Sequence, residues 1–301
     1  MQESTPDIIG FQEVFSAESL KILVSENGYQ HFAVVDEPQI IDDFIYKKPV
    51  VAIASRYPIV EVEAVKPSLT LAATLGLSRE FVFSRKVLRA TIDVPHLGHC
   101  DCYVVHFKSK RSMLEHDVIK EQSVEKSIIE SLKAQVAGGW GSTIQRGSEA
   151  TLLMVEMIER RESSNNAMVL MGDFNNTLTD GVLSQLLTCT LRFVSAIDRE
   201  AYLAKYCLLD AWDLFEIAKI NDGEFSEQAK LKRIPTHYFG ATSSVLDYIL
   251  LSCEFDASYH DSLYQVSEHD TYDRHLINPI FDRDGESTDH GIVSVTLTLR
   301  S

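Results

Sequence analysis

Short apolar runs bounded by Pro, Gly and charged turns recur through the first third of the chain and predict β-strands. They lie at Asp7–Phe11, Val50–Ala54, Phe81–Phe83, Leu88–Val94 and Cys102–Phe107. From Met113 to Val136 the apolar positions change to helical spacing, Gly138-Gly139-Trp140-Gly141 interrupts it, and a second helical run covers Ile144–Arg161. Two helices joined by a glycine turn are predicted. After the polar Glu162–Asn166 loop, Ala167–Met171 is continuously apolar, the pattern of a strand covered on both faces. The alternation then repeats, with helices predicted over about Asp180–Leu187 and Ala201–Ala218 and strands over Leu246–Leu251 and Gly291–Leu299. Asn221–Arg233 is polar and predicts a surface excursion. Strand-rich flanks around a helical middle suggest an α/β chain of two sheets packed face to face with helices outside, in one domain over residues 1–301.

Composition supports a globular chain: 45% of the 301 residues are hydrophobic, enough for a full-sized core. No stretch approaches the roughly 20 consecutive apolar residues of a membrane helix, and the first ten residues lack a basic-then-apolar export profile. A cytoplasmic protein is therefore expected from the sequence as written. The net charge of −16 repels polyanions at long range, so a nucleic-acid or anionic-lipid substrate would need a local basic patch or bound cations. Five scattered cysteines, Cys100, Cys102, Cys189, Cys207 and Cys253, read as reduced core thiols, and the Cys100/Cys102 spacing does not fit a zinc knuckle.

Several chemistries lose support because their motifs are missing. There is no Gly-x-x-x-x-Gly-Lys phosphate loop, no Gly-x-Gly-x-x-Gly after a strand, no His-Glu-x-x-His and no Gly-x-Ser-x-Gly. What remains is a series of acids and imidazoles at the ends of apolar strands. Glu13 closes Asp7-Ile-Ile-Gly-Phe-Gln-Glu13, and His106 closes Cys102-Tyr-Val-Val-His106. Asp173 and Asn175, two apart in extended chain, project to one side and pair a charged with a neutral oxygen donor. Asp247 lies near the start of a five-residue apolar run, Leu246 and Tyr248–Leu251, where an unpartnered buried carboxylate would be costly. Asp289 and His290 stand side by side before the last strand. Two basic clusters, Arg85/Lys86/Arg89 and Lys108/Lys110/Arg111, lie around candidate strand ends; Arg89, Lys108 and Arg111 are the candidates for substrate binding.

The order of these groups, with Ile9-Gly-Phe-Gln-Glu13, Gly172-Asp-Phe-Asn175, Leu246-Asp-Tyr-Ile-Leu250 and Ser287-Thr-Asp-His290, resembles the endonuclease/exonuclease/phosphatase superfamily with its deoxyribonuclease-I-like fold. Ile53-Ala-Ser-Arg-Tyr-Pro58 is similar to that family's strand after the first motif. The resemblance covers essentially the whole chain and implies a four-layer sandwich of two mixed β-sheets flanked by helices. It also implies Mg²⁺ or Mn²⁺ dependence and cleavage of phosphate esters. Residue by residue, it implies that Glu13 binds the metal with Asp289 beside it, that Asp173 activates or orients the attacking water, and that Asn175 holds phosphoryl oxygens. His290 resembles the essential histidine, Asp247 the aspartate that pairs with a histidine or supports the metal, and His106 a histidine of the deoxyribonuclease, sphingomyelinase and inositol-phosphatase branches.

Family members open with an Asn-bearing strand some thirty or more residues before the Gln-Glu motif, whereas Met1 lies twelve positions before Glu13. The expectation is a chain lacking that N-terminal strand, with export following only if a signal peptide was lost with it. The leading functional expectation is a monomeric, metal-dependent phosphodiesterase acting on nucleic acid, without stable membrane insertion. Competing expectations are a phospholipid or inositol-phosphate phosphatase/phosphodiesterase of the same fold and a binding module that lost catalysis.

Overall fold

The computed structural model describes residues 5–40, 46–114, 123–189, 202–221, 231–280, 284 and 287–300. The N-terminal part contributes β1 (Ile8–Val14), α1 (Ala17–Glu26), β2 (His31–Val34), the small pair β3 (Gln39–Ile40) and β4 (Tyr46–Lys47), β5 (Val50–Ser55) and β6 (Ile59–Val65). After α2 (Leu69–Thr74) come β7 (Val87–Val94), β8 (Gly98–His106), α3 (Val124–Ser164) and β9 (Ala167–Asp173). The remainder supplies β10 (Leu209–Asp210), α4 (Ala211–Asn221), β11 (His237–Phe239), β12 (Thr242–Ser244), β13 (Asp247–Leu251), β14 (Tyr264–Tyr272) and β15 (Ile292–Leu299).

One sheet has six strands in the order β10-β13-β9-β8-β7-β6 and is mixed, because β8 and β9 run parallel while its other pairs are antiparallel. A three-stranded sheet, β1-β5-β2, packs against it, with the β14–β15 hairpin in the same interface. Strand alternation sorts the core into two faces. Leu88, Ala90, Cys102, Val104 and Val169 point between the sheets and meet Val51, Ile53 and Val266. Val87, Tyr103, Val105, Met168 and Leu170 point the other way and bury Leu152, Leu153 and Met157 of α3. On the far side of the small sheet, α1 packs Val24 and Leu20 over Ala54. Helix, sheet, sheet and helix make up the four layers of the α/β sandwich.

Four sequence expectations are corrected. Gly138–Gly141 does not break the middle helices: α3 runs uninterrupted from Val124 to Ser164. A Cβ on Gly138 would lie 1.9 Å from Ser112 Oγ and 2.6 Å from the Leu114 backbone nitrogen, so the bare backbone lets residues 112–114 lie against the helix without interrupting it. Phe81–Phe83 forms no strand; both rings instead plug the α3-facing core. The helix expected over Asp180–Leu187 shrinks to one 3-10 turn, Ser184–Leu187, and the Ala201–Ala218 helix is interrupted: Tyr202–Ala204 is helical, and after the short strand β10 the helix resumes as α4 at Ala211. Most of the polar segment Asn221–Arg233 lies outside the described residues. Among those described, no helix is long and apolar enough to cross a membrane.

Cys100, Cys102, Cys207 and Cys253 are buried free thiols, and Cys189 is exposed. His269 on β14 is buried against the Trp212 and Phe215 rings. Burial and the nearby Arg233 charge lower its pKa from 6.5 to about 4. The folded state therefore refuses a proton that the unfolded chain accepts below pH 6.5, so stability falls on acidification through that window and levels off below pH 4. The expected loss by pH 5 is about 2 kcal/mol. Urea unfolding at pH 7.5 and pH 5 should show this loss in the wild type and a much smaller one in His269→Phe; equal losses would exclude His269 as its source.

Candidate active site

The interior row of the large sheet ends in polar groups. Pairing places His106 opposite Asp173 and Asp173 opposite Asp247, so three neighbouring strands present these side chains in one line. All three lie on the face between the sheets, two residues along their strands from Val104, Met171 and Ile249. Gly172 makes this approach feasible: a Cβ there would sit 2.0 Å from the Val105 carbonyl oxygen, and its φ of +142° is one that side-chain-bearing residues avoid. Asn175, at φ +53°, folds the chain back so that its backbone N–H donates to Asp173 Oδ1 at 2.7 Å. Its side-chain Nδ2 donates to Asp173 Oδ2 at 2.9 Å and to the Phe107 carbonyl at 3.0 Å.

Loop residues bring in the fourth group. Asp247 Oδ2 meets His290 Nδ1 at 2.8 Å, and among the described residues no hydrogen bond engages Nε2. The His290 backbone is clamped by an antiparallel bridge to His237 and by a 2.9 Å contact between its carbonyl and His275 Nε2. Thr236 Oγ1 accepts from the Leu246 and Asp247 N–H groups, fixing the start of β13. Asp173, Asp247 and His290 each place a donor atom within 4.8 Å of the others.

The electrostatics follow from burial. Burial and the Asp247 charge raise the Asp173 pKa, against the opposing pull of His290, the Asn175 N–H and Arg85. Burial alone would lower His290, yet its bond to Asp247 and the charges of Asp247, Asp173 and Asp289 outweigh it and raise the pKa to about 9. Burial, Arg85 and His290 lower His106 to about 3, so its ring is neutral; its Nε2 lies 3.3 Å from Asp173 Oδ2.

A model of the endonuclease/exonuclease/phosphatase family matches residues 1–269. The chain belongs to this family. The family's members are phosphoesterases, and four-layer stacking with acidic and imidazole groups at the sheet ends accords with membership. Among solved structures, the human Nocturnin catalytic domain with bound sulfate is similar at 16% identity and TM-score 0.56, covering 98% of this chain and 82% of that one. The 3′ phosphatase NExo from Neisseria, bound to product DNA hairpin, matches at 15% and 0.51, over 99% and 91%. Truncated Caenorhabditis elegans TDP2 matches at 13% and 0.50, over 96% and 82%. These likenesses establish the shared fold. No curated protein sequence matches the chain.

The sequence-derived family residues are thus unevenly placed. His106, Asp173, Asn175, Asp247 and His290 come together. Glu13 sits in a β-bulge of β1 at φ +55°, exposed at the rim, where its charge and that of Asp173 both act on Arg85. Asp289 is exposed and groups with His237 and His290 rather than with the buried pair. Lys108 points its Nζ at the carbonyls of Ser109 and Arg111, while Arg111 is exposed near Arg85. The Glu149 carboxylate of α3 accepts from the Ser84 and Lys108 N–H groups, and Arg146 donates to the Lys108 carbonyl, so the helix holds this corner.

Arg89 is a correction. Strand alternation sends it to the α3 face of the sheet, where it is buried and paired with Glu61 at 3.0 Å and Glu63 at 2.5 Å, away from the row. A guanidinium held by two carboxylates offers no free charge to a phosphate. Asn175 also differs from expectation, because both of its amide hydrogens are spent on Asp173 and Phe107.

From the sequence Arg85 is expected only as a member of a basic cluster, and His237 is not among the expected site residues. Arg85 donates to the Phe107 carbonyl at 3.4 Å, and among the described residues no carboxylate lies within ion-pair distance of it. Its position is legible in retrospect: Val94 pairs with Gly98 and Leu88 with Val104, and continuing the register puts Lys86 opposite His106. His237 carries no such signal, since its bridge to His290 joins segments over fifty residues apart.

The donor set fits a divalent cation. Asp173 and Asp247 are buried carboxylates close enough to repel, and the exposed Glu13 and Asp289 carboxylates have no hydrogen-bond or ion-pair partner among the described residues. Oxygen donors of this kind suit a hard ion that keeps part of its water.

Proposed function

We propose that the chain hydrolyses phosphate diesters, nucleic acid foremost, at the sheet end where His106, Asp173, Asp247 and His290 converge. The observation that carries this reading is the 2.8 Å Asp247–His290 contact beside the buried, hydrogen-bonded Asp173. Hydrolysis needs a water deprotonated, a leaving oxygen protonated and charge on the non-bridging oxygens offset. His290, held protonated at neutral pH by Asp247, gives its Nε2 proton to the leaving oxygen. Asp173, whose burial makes it a stronger base than a surface carboxylate, takes the proton of the attacking water. Asn175 and His106 position Asp173. Arg85, Lys108 and Arg111 draw the phosphate in against the net negative charge. Mg²⁺ or Mn²⁺ held by Glu13 and Asp289 would add charge neutralisation at the phosphate.

Residues 1–301 act in this reading as one domain and a monomer. Hydrolysis of bis-p-nitrophenyl phosphate and nicking of plasmid DNA are expected with Mg²⁺ and lost with EDTA. Absence of both activities at every divalent ion tried would remove the enzymatic reading, and undiminished activity in EDTA would remove the metal.

One observation favours a second substrate class. The N-terminal half of α3 exposes Val124, Ile128, Leu132, Val136 and Trp140 at four-residue spacing, an apolar stripe suited to a bilayer surface. Cosedimentation with phospholipid vesicles, accompanied by release of phosphorylated headgroup, would favour a phospholipid or inositol-phosphate phosphodiesterase over a nuclease.

A further inference from the structure

His237 has no part in the proposed hydrolysis, yet it stands at the mouth of the site. Its ring centroid lies 5.1 Å from that of His290, at an interplanar angle of 53°. The backbone fixes this neighbourhood: His237 and His290 form an antiparallel bridge, and the Gly291 N–H donates to the Thr236 carbonyl at 2.6 Å. His237, Asp289 and His290 each offer one ligand atom, and these atoms all lie within 4.8 Å of one another. Two imidazoles and one carboxylate form a donor set that Zn²⁺ favours and Mg²⁺ does not. Bonds of about 2.0–2.1 Å in tetrahedral geometry bring ligand atoms to about 3.4 Å apart, so closure needs only side-chain rotation of His237 and the exposed Asp289.

A second feature of the geometry points to a metal. His290 Nδ1 is already hydrogen-bonded to the Asp247 carboxylate, the arrangement that orients a ligating imidazole and makes its other nitrogen a better donor. With Nδ1 engaged, Nε2 is the nitrogen left to bind. Ligands from one rigid bridge and the adjacent residue leave a fourth, solvent-facing position.

We propose that His237, Asp289 and His290 form a zinc site whose occupation withdraws His290 and Asp289 from catalysis and switches hydrolysis off. The inhibitory half of this inference rests on the phosphodiesterase reading above; the binding half does not. The test is therefore read first without any ester. The purified chain, residues 1–301, is titrated with Zn²⁺ against a chromophoric zinc indicator at pH 8, and with Co²⁺ for the visible absorption bands of a tetrahedral site. The wild type should bind one Zn²⁺ per chain. His237→Ala and the better size match His237→Asn should each weaken binding by at least about tenfold and lose the Co²⁺ bands. Thermal unfolding identifies which variants are folded.

In the second arm, Zn²⁺ added with Mg²⁺ in large excess should abolish wild-type hydrolysis, a chelator selective for zinc should restore it, and the His237 variants should hydrolyse normally and resist zinc. Equal zinc affinity in the wild type and a folded His237 variant overturns the proposal, as does a wild type that binds no zinc. A wild type that binds zinc through His237 but hydrolyses no ester overturns the phosphodiesterase reading and leaves the site standing. Binding through His237 with hydrolysis unaffected overturns the inhibitory role.

Discussion

Replacing Asp173 by Asn is expected to lower kcat for phosphodiester hydrolysis by about a hundred- to ten-thousandfold. The substitution keeps the shape and removes the charge. Asp173 accepts hydrogen bonds from the Asn175 N–H and the Asn175 amide, and faces His106 Nε2. An amide at position 173 would turn one of its own N–H groups toward these donors, so the row would lose its base and its geometry together. Asp247→Asn should produce a loss of similar size by a different route, through the 2.8 Å bond that holds His290 protonated and oriented. Because both changes disable one proton-handling unit, the double variant should be barely worse than either single one. Multiplicative losses would mean that the two acids act separately. Retained activity in both Asp173→Ala and His290→Ala would remove the assignment altogether. Circular dichroism and urea unfolding distinguish lost chemistry from lost fold.

Which parts of this were legible in the sequence follows from the range of the forces involved. Ala167–Met171 shows a doubly covered strand because burial on both faces leaves no polar position, and the same logic exposes Asp173 and Asp247 as polar groups at the ends of apolar runs. Local spacing brings Asp173 and Asn175 together, but the extended chain expected there gives way to a turn at Asn175, where φ is +53°. Arg89 failed because alternation within a strand tells which residues share a face, but not which face is the site; Glu61 and Glu63 come from the neighbouring strand. The glycine run in α3 misled for a related reason. Glycine weakens a helix in isolation, and here the packing of residues 112–114 outweighs that weakness. The His237–His290 bridge was out of reach, since no local pattern joins segments so far apart in sequence.

The same distinction between local cost and tertiary demand gives the largest expected effect on stability. Gly172→Ala should destabilise the chain by about 3–5 kcal/mol, combining an unfavourable φ with a backbone clash. The added methyl would meet the Val105 carbonyl oxygen at 2.0 Å and its carbonyl carbon at 2.9 Å, and these are strand atoms that cannot rotate aside. Relief requires β9 to move away from β8, which separates His106 from Asp173 in the row. Activity should therefore fall even at temperatures where the variant stays folded. Gly139→Ala is the matched control: a Cβ there meets nothing within 4 Å, and the position lies inside α3. Alanine should stabilise it by about 0.5–1 kcal/mol through helix propensity. Urea midpoints of the two variants should thus move in opposite directions from the wild type. A Gly172→Ala chain with a wild-type midpoint would show that β8 and β9 do not approach as closely as the site requires.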